Sequence, residues 1–202
     1  MKDSVVTQRD QLADAARDSD WSTVLTILAS HPDWTNTTRI GGTSGYTSLH
    51  QAAWHGTDPG IVISLLDLGA WRTVRTADGQ RAADVAEQRG HGHLRGLLRP
   101  VIQHPVPAAT LEELQRRLHT LIHERAGNLV AEHRLRLPEL EPLTELATPT
   151  CWFPVPGMYG GFNYQLRGAE LTVRSWCRVV GGSGQTHRIS ADATELTESG
   201  WA

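Results

Sequence analysis

The residues with the most chemical capacity in this 202-residue chain lie towards its C-terminal end. Tyr159, Tyr164, Cys177 and His187 offer two phenols, a thiol and an imidazole in one short stretch. A thiolate held beside a histidine supports nucleophilic chemistry. A small substrate would then sit among Trp152, Tyr159, Tyr164, Trp176 and His187. No familiar catalytic motif surrounds them, and Gly181-Gly182-Ser183-Gly184 is not a nucleophile elbow. The competing reading is a buried, inert cysteine beside a packed histidine. A second group is cationic. Arg167, Arg174, Arg178 and Arg188 fall around Trp176, and planar guanidinium groups read carboxylates, phosphates or acidic peptides through paired hydrogen bonds. Against this stands a solvated sheet face, salt-bridged by Glu139, Glu141, Glu145, Glu170 or Glu195. His119 and His123 have the i,i+4 spacing of metal ligands, but no third spaced ligand completes a site. No metal and no cofactor are expected.

Composition narrows the classes. Eighteen of the 19 basic residues are arginine, and Lys2 is the only lysine, which removes Schiff-base chemistry and a lysine-dependent phosphate loop from the interior. Seven of the aromatic residues are tryptophan. The net charge is −3, from ten basic and eleven acidic residues in 1–100 and nine and eleven in 101–202. Neither half suits a general nucleic-acid binder. Two cysteines make no disulfide framework, which predicts a reduced, cytoplasmic protein. No apolar run reaches the length of a membrane span, and the first residues lack a signal-peptide core, so no membrane association is expected.

The elements that must position these groups follow from periodicity. From Cys151 onward the period is two, with strands predicted at Phe162–Arg167, Leu171–Val180, Gln185–Ser190 and Glu195–Ser199. Alternation puts Leu171, Val173, Ser175, Cys177 and Val179 on one face of their strand, and Thr172, Arg174, Trp176, Arg178 and Val180 on the other. Upstream, Leu111, Leu114, Leu118, Leu121 and Ile122 form one apolar stripe on a helix over 111–125, opened by a Thr110–Glu113 capping box. Residues 127–150, with three prolines, read as irregular or short-stranded. The result is a helix-backed antiparallel meander over 111–202, joined by a linker at 101–110 to an N-terminal part, 1–100.

In that first part, Gly45-Tyr46-Thr47-Ser48-Leu49-His50-Gln51-Ala52-Ala53-Trp54-His55-Gly56 is a turn opening a helix, and 61–70 reads as a second helix with a glycine stop. Gly79-Gln80-Arg81-Ala82-Ala83-Asp84-Val85-Ala86 repeats the opening, and Leu12–Ala16 followed by Val24–Leu28 is a degenerate earlier copy. These segments resemble the ankyrin repeat family over residues 8–100. Ser48, Arg81 and Asp84 depart from its motif. The part beyond Cys151 is similar to a C-terminal domain of bacterial ankyrin-containing proteins that has no established activity.

The resemblance implies an α-helical solenoid of about three copies in an α+β protein. It also implies a protein or peptide partner on a concave face lined by Trp34, Tyr46, Trp54, His55, Trp71, Arg72 and Arg75, with Arg39 nearby. His50 would be structural, and Trp21 buried between helices. The reading is a binding or scaffold protein whose C-terminal module takes a small anionic group. The alternative is a small-molecule enzyme, of biosynthetic type, with its site in the C-terminal part or at its junction with the repeats.

Overall fold

The computed structural model describes residues 3–178 and 182–200. Lys2, Val179, Val180, Gly181 and Trp201, which enter the sequence reading, lie outside the described residues. The chain divides into two compact units between Val101 and Ile102.

The first unit is helical. Its elements are α1 (Asp3–Arg17), α2 (Trp21–Ser30), α3 (Ser48–His55), α4 (Pro59–Asp67), α5 (Ala82–Gln88) and α6 (Arg95–Leu98). Each start has a local cause. Asp20 caps α2 by accepting from the Thr23 N–H at 3.1 Å, and Asp58 caps α4 with Pro59 at the first helical position. Gly56 ends α3 in the left-handed region at φ 60°, and a Cβ there would stand 2.4 Å from the His91 ring. The core is drawn from facing helices and includes Leu12, Val24, Leu28, Leu49, Val62, Leu65, Val85 and Leu98.

The second unit holds one long helix and one sheet. Helix α7 (Ala108–Glu132) is followed by a short 3-10 turn, Glu141–Thr144. Then come β1 (Thr150–Val155), β2 (Gly160–Arg167), β3 (Glu170–Cys177), β4 (Ser183–Ile189) and β5 (Thr194–Gly200). The sheet is antiparallel throughout, in the order β1-β2-β3-β4-β5. The apolar stripe of α7 shares one core with Phe162, Tyr164, Leu166, Leu171, Val173 and Ile189, so the helix backs one sheet face. A register shift at Thr186/His187 lets Thr186 face Glu198 and His187 face Leu196.

The described chain is thus α+β, with seven α-helices and a five-stranded antiparallel sheet, and it is not an ankyrin solenoid. A solenoid stacks units of one length on like neighbours. Here the helices of the first unit run 15, 10, 8, 9, 7 and 4 residues, and the second unit is a helix-backed sheet. The segment that suggested a repeat is satisfied as a local cap. The Thr47 N–H meets His50 Nδ1 at 3.3 Å, and Thr47 Oγ1 lies 2.8 Å from the same nitrogen.

Three smaller expectations also change. α7 begins at Ala108 behind Pro107, so Thr110 does not cap it, and Glu113 pairs with Arg116 and Arg117 instead. The break expected near 125 is a kink at Ala126, after which the helix continues to Glu132. The sheet has one strand more than the four expected from alternation, β1, whose Pro154 is tolerated because β1 lies at a sheet edge. In the stretch expected to link the two parts, the Gln103 and His104 N–H groups both donate to the Thr144 carbonyl, at 2.8 and 2.9 Å.

Candidate functional site

The two faces of the sheet carry different chemistry. On the side away from α7, the register sets Trp152, Asn163, Arg174, Thr186 and Glu198 in one row across all five strands. The next row is Pro154, Gly161, Trp176, Gly184 and Gly200. Trp176 is therefore the one large side chain in a row otherwise made of proline and glycine. Trp152, 43% exposed, stacks on it with ring centroids 4.6 Å apart and planes within 19°. Beyond Trp176, residues of β3, β4 and β5 enclose an open groove of about 410 Å³, lined by Arg174, Trp176, Arg178, Gly184, Thr186 and Glu198 among others.

The four arginines of the expected cationic face separate into two pairs. Arg188 lies 2.8 Å from Glu195 and 3.9 Å from Glu170, as the salt-bridged reading had it. Arg167 donates to the Gln165 side chain at 2.9 and 3.1 Å. Arg174 and Arg178 are exposed and carry no ion pair among the described residues. The nearby acid is Glu198, whose carboxylate accepts the Thr186 hydroxyl at 3.0 Å.

The opposite face is closed by α7 and holds an unusual polar corner. Arg125 of α7 bonds the Gln185 side-chain oxygen and reaches Ser183 Oγ at 3.2 Å. Burial, followed by the nearby Arg125 charge, pushes the His187 imidazole pKa down, so the ring favours its neutral form. Among the described residues, Ser175 Oγ and His187 Nδ1 are buried without a hydrogen-bond partner. Cys177 faces the same way but pairs with Ser183, whereas His187 pairs with Val173. Four residues of strand separate them, roughly 13 Å at about 3.3 Å per residue, so they form no thiol–imidazole couple. Cys151 is the other thiol. Burial raises its pKa to about 11, against a smaller opposing effect from its hydrogen bond with Tyr164, so it is a poor nucleophile.

The aromatic residues expected around a small substrate do not share one space. Trp152 and Trp176 lie on the groove face, Tyr164 and His187 are buried on the helix side, and Tyr159 is 76% exposed in the β1–β2 turn. Both histidines of the i,i+4 pair lie on α7, where His119 contacts the Pro138 carbonyl at 2.8 Å.

In the first unit the expected partner-facing residues also divide. Trp34 is 8% exposed and stacks on His31 at 4.0 Å, so it is a packing residue. Trp71 takes the Asn36 side-chain oxygen on its backbone N–H, while Arg72 donates to the Leu97 carbonyl and Arg75 to the Gly79 carbonyl. Arg39 is paired with Asp14. His55 meets the Arg17 carbonyl at 2.8 Å and lies edge-on to the partly buried Trp21. What stays open is a compact patch. Trp54, 37% exposed, has the Arg89 guanidinium 3.9 Å above its ring and Tyr46 edge-on at 6.1 Å. Sequence reasoning missed Arg89. It follows the end of α5, and only the contact between α3 and α5 brings it to Trp54.

No family model matches this chain. No curated protein matches it either. The ankyrin assignment therefore has no support from either comparison. Among solved structures, it is similar to that of a predatory endopeptidase from Bdellovibrio bacteriovorus in complex with an immunity protein. The likeness has 29% identity and a TM-score of 0.37, over 43% of this chain and 42% of that one. It spans about two fifths of either chain and assigns neither fold nor role. No helix among the described residues is long and apolar enough to cross a membrane.

Proposed function

We propose that this chain is a binding protein whose first unit recognises a protein or peptide partner through the Tyr46–Trp54–Arg89 patch. One observation carries the reading: an exposed indole is already held between a guanidinium and a phenol. Tryptophan, tyrosine and arginine dominate binding hot spots because they offer large rigid area and directed donors. Holding them in place beforehand reduces the ordering cost of association. Arg72 and Arg75 are spent on backbone carbonyls, so the patch is centred on Trp54.

The test compares the full chain with Trp54→Ala and Arg89→Ala variants in cross-linked capture, quantified by mass spectrometry. At least one protein should be lost tenfold or more from both variants while their melting temperatures stay close to wild type. Identical captured sets from all three proteins would overturn the reading.

A further inference from the structure

The groove on the open sheet face has a composition that Trp54 and its partner do not explain. We propose that it binds a small molecule in which a flat aromatic ring carries a carboxylate or phosphate, the ring stacking on Trp176 and the anion meeting Arg174 and Arg178.

Three features lead there. The row through Trp176 continues over Gly184 and Gly200, so among the described residues no side chain of that row occupies the floor beside the indole on the β4 and β5 side. Trp152 covers Trp176 from the β1 side, in stacked geometry. That contact fixes the indole and leaves its groove side as a wall against which a second ring can lie. Arg174 lies two residues before Trp176 on β3, and Arg178, just past the end of the strand, lines the same groove, so the two flank the indole. They are also the two arginines of this face with neither an ion pair nor a side-chain hydrogen bond among the described residues, since Arg188 is held by Glu195 and Arg167 by Gln165. An anion is thus met by guanidinium groups that have no protein carboxylate to give up.

Size and charge limit the ligand further. A volume of about 410 Å³ suits a ring with one substituent group, and is small for a folded partner. Glu198 at the far side of the groove disfavours dense negative charge and would accept a hydroxyl or amino hydrogen. The open shape predicts modest affinity, a dissociation constant on the order of 10–500 µM. This site is independent of the partner proposed for the first unit, and each can fail without the other.

Calorimetric titration of the full chain tests it with five probes: adenosine monophosphate, adenosine, inorganic phosphate, 4-hydroxybenzoate and phenol. The indole N–H resonance of Trp176, assigned by its loss in Trp176→Ala, reports the location. At least one ring-plus-anion probe should bind and shift that resonance, with its ring alone and phosphate alone at least tenfold weaker. Trp176→Ala and the double variant Arg174→Ala/Arg178→Ala should each weaken that probe tenfold or more, and Trp54→Ala should leave it unchanged. Failure of both ring-plus-anion probes would overturn the proposal. So would phosphate binding as tightly as the nucleotide, or full affinity in Trp176→Ala. Retained circular dichroism in the double variant separates loss of the site from loss of the fold.

Discussion

Gly160→Ala probes the construction of the tryptophan face through a single methyl group. Gly160 starts β2, and a Cβ there would stand 2.0 Å from the Trp176 carbonyl oxygen and 2.8 Å from its indole Cδ1. Side-chain carbons essentially never approach heavy atoms closer than 3.0 Å, so β2 and β3 must part by about an ångström at their Gly161–Trp176 pairing. Overpacking of this kind costs about 1–3 kcal/mol, and a lost ladder hydrogen bond costs about 1 kcal/mol. The smaller entropy of an unfolded alanine offsets about 0.4–1 kcal/mol. The net expectation is a destabilisation of about 2–3 kcal/mol, or a fall in melting temperature of roughly 8–24 °C for a domain of this size. Gly168→Ala is the control. Gly168 has left-handed backbone, φ 60°, but a Cβ there meets nothing within 4 Å, so only the conformational cost of about 1 kcal/mol applies. Denaturant unfolding gives the two free energies. The exciton bands of stacked indoles in circular dichroism report whether Trp152 and Trp176 still stack. If Gly160→Ala is no less stable than Gly168→Ala and keeps the exciton bands, the packing assigned to this face is wrong.

Two further outcomes test the interior of each unit. His187 has its pKa lowered by burial, so the folded state holds it neutral after the unfolded chain has begun to protonate. Its contribution to stability is complete above the ordinary histidine pKa of about 6.5 and is lost as the pH falls through the lower folded value. Melting temperatures measured across that range should show a smaller acid-side decline in His187→Gln, and an unchanged decline would exclude His187 as a source. In the first unit, His50 is fully buried and joins Thr47 to the Gln80 carbonyl, at 3.2 Å from its second ring nitrogen. His50→Ala should cost about 3 kcal/mol in denaturant unfolding, from the cavity and the stranded polar groups; a cost below about 1 kcal/mol would show that this bridge is dispensable.

Some of the site was legible in the sequence because it depends on alternation alone. A period of two put Arg174 and Trp176 on one face of this strand and Val173, Ser175 and Cys177 on the other, and in β3 Val173 and Ser175 are buried while Arg174 is exposed. The apolar stripe of α7 was readable for the same reason, at a period near 3.6. What alternation cannot supply is register between strands. Only pairing brings Gly184 and Gly200 level with Trp176, opening the groove, and only pairing puts Cys177 and His187 apart on the face they share. The two pairs among the four arginines are likewise set by neighbours. Arg188 faces Glu195 across the β4–β5 ladder, and no comparable acid faces Arg174.

The sequence by itself determined the local events: where the chain turns, which stretches take period two or 3.6, and the cap that ties Thr47 to His50. These are short-range energies, written in residues a few positions apart. It did not determine whether such segments form a repeating array. The Thr47–His50 cap is satisfied by one helix start, and the helices that follow it differ in length. The tertiary structure decided which exposed groups meet. Arg89 reaches Trp54 because α5 packs on α3, and Trp152 reaches Trp176 because β1 pairs with the far side of β2. Contacts between residues distant in the chain depend on packing and pairing, and no local pattern encodes them.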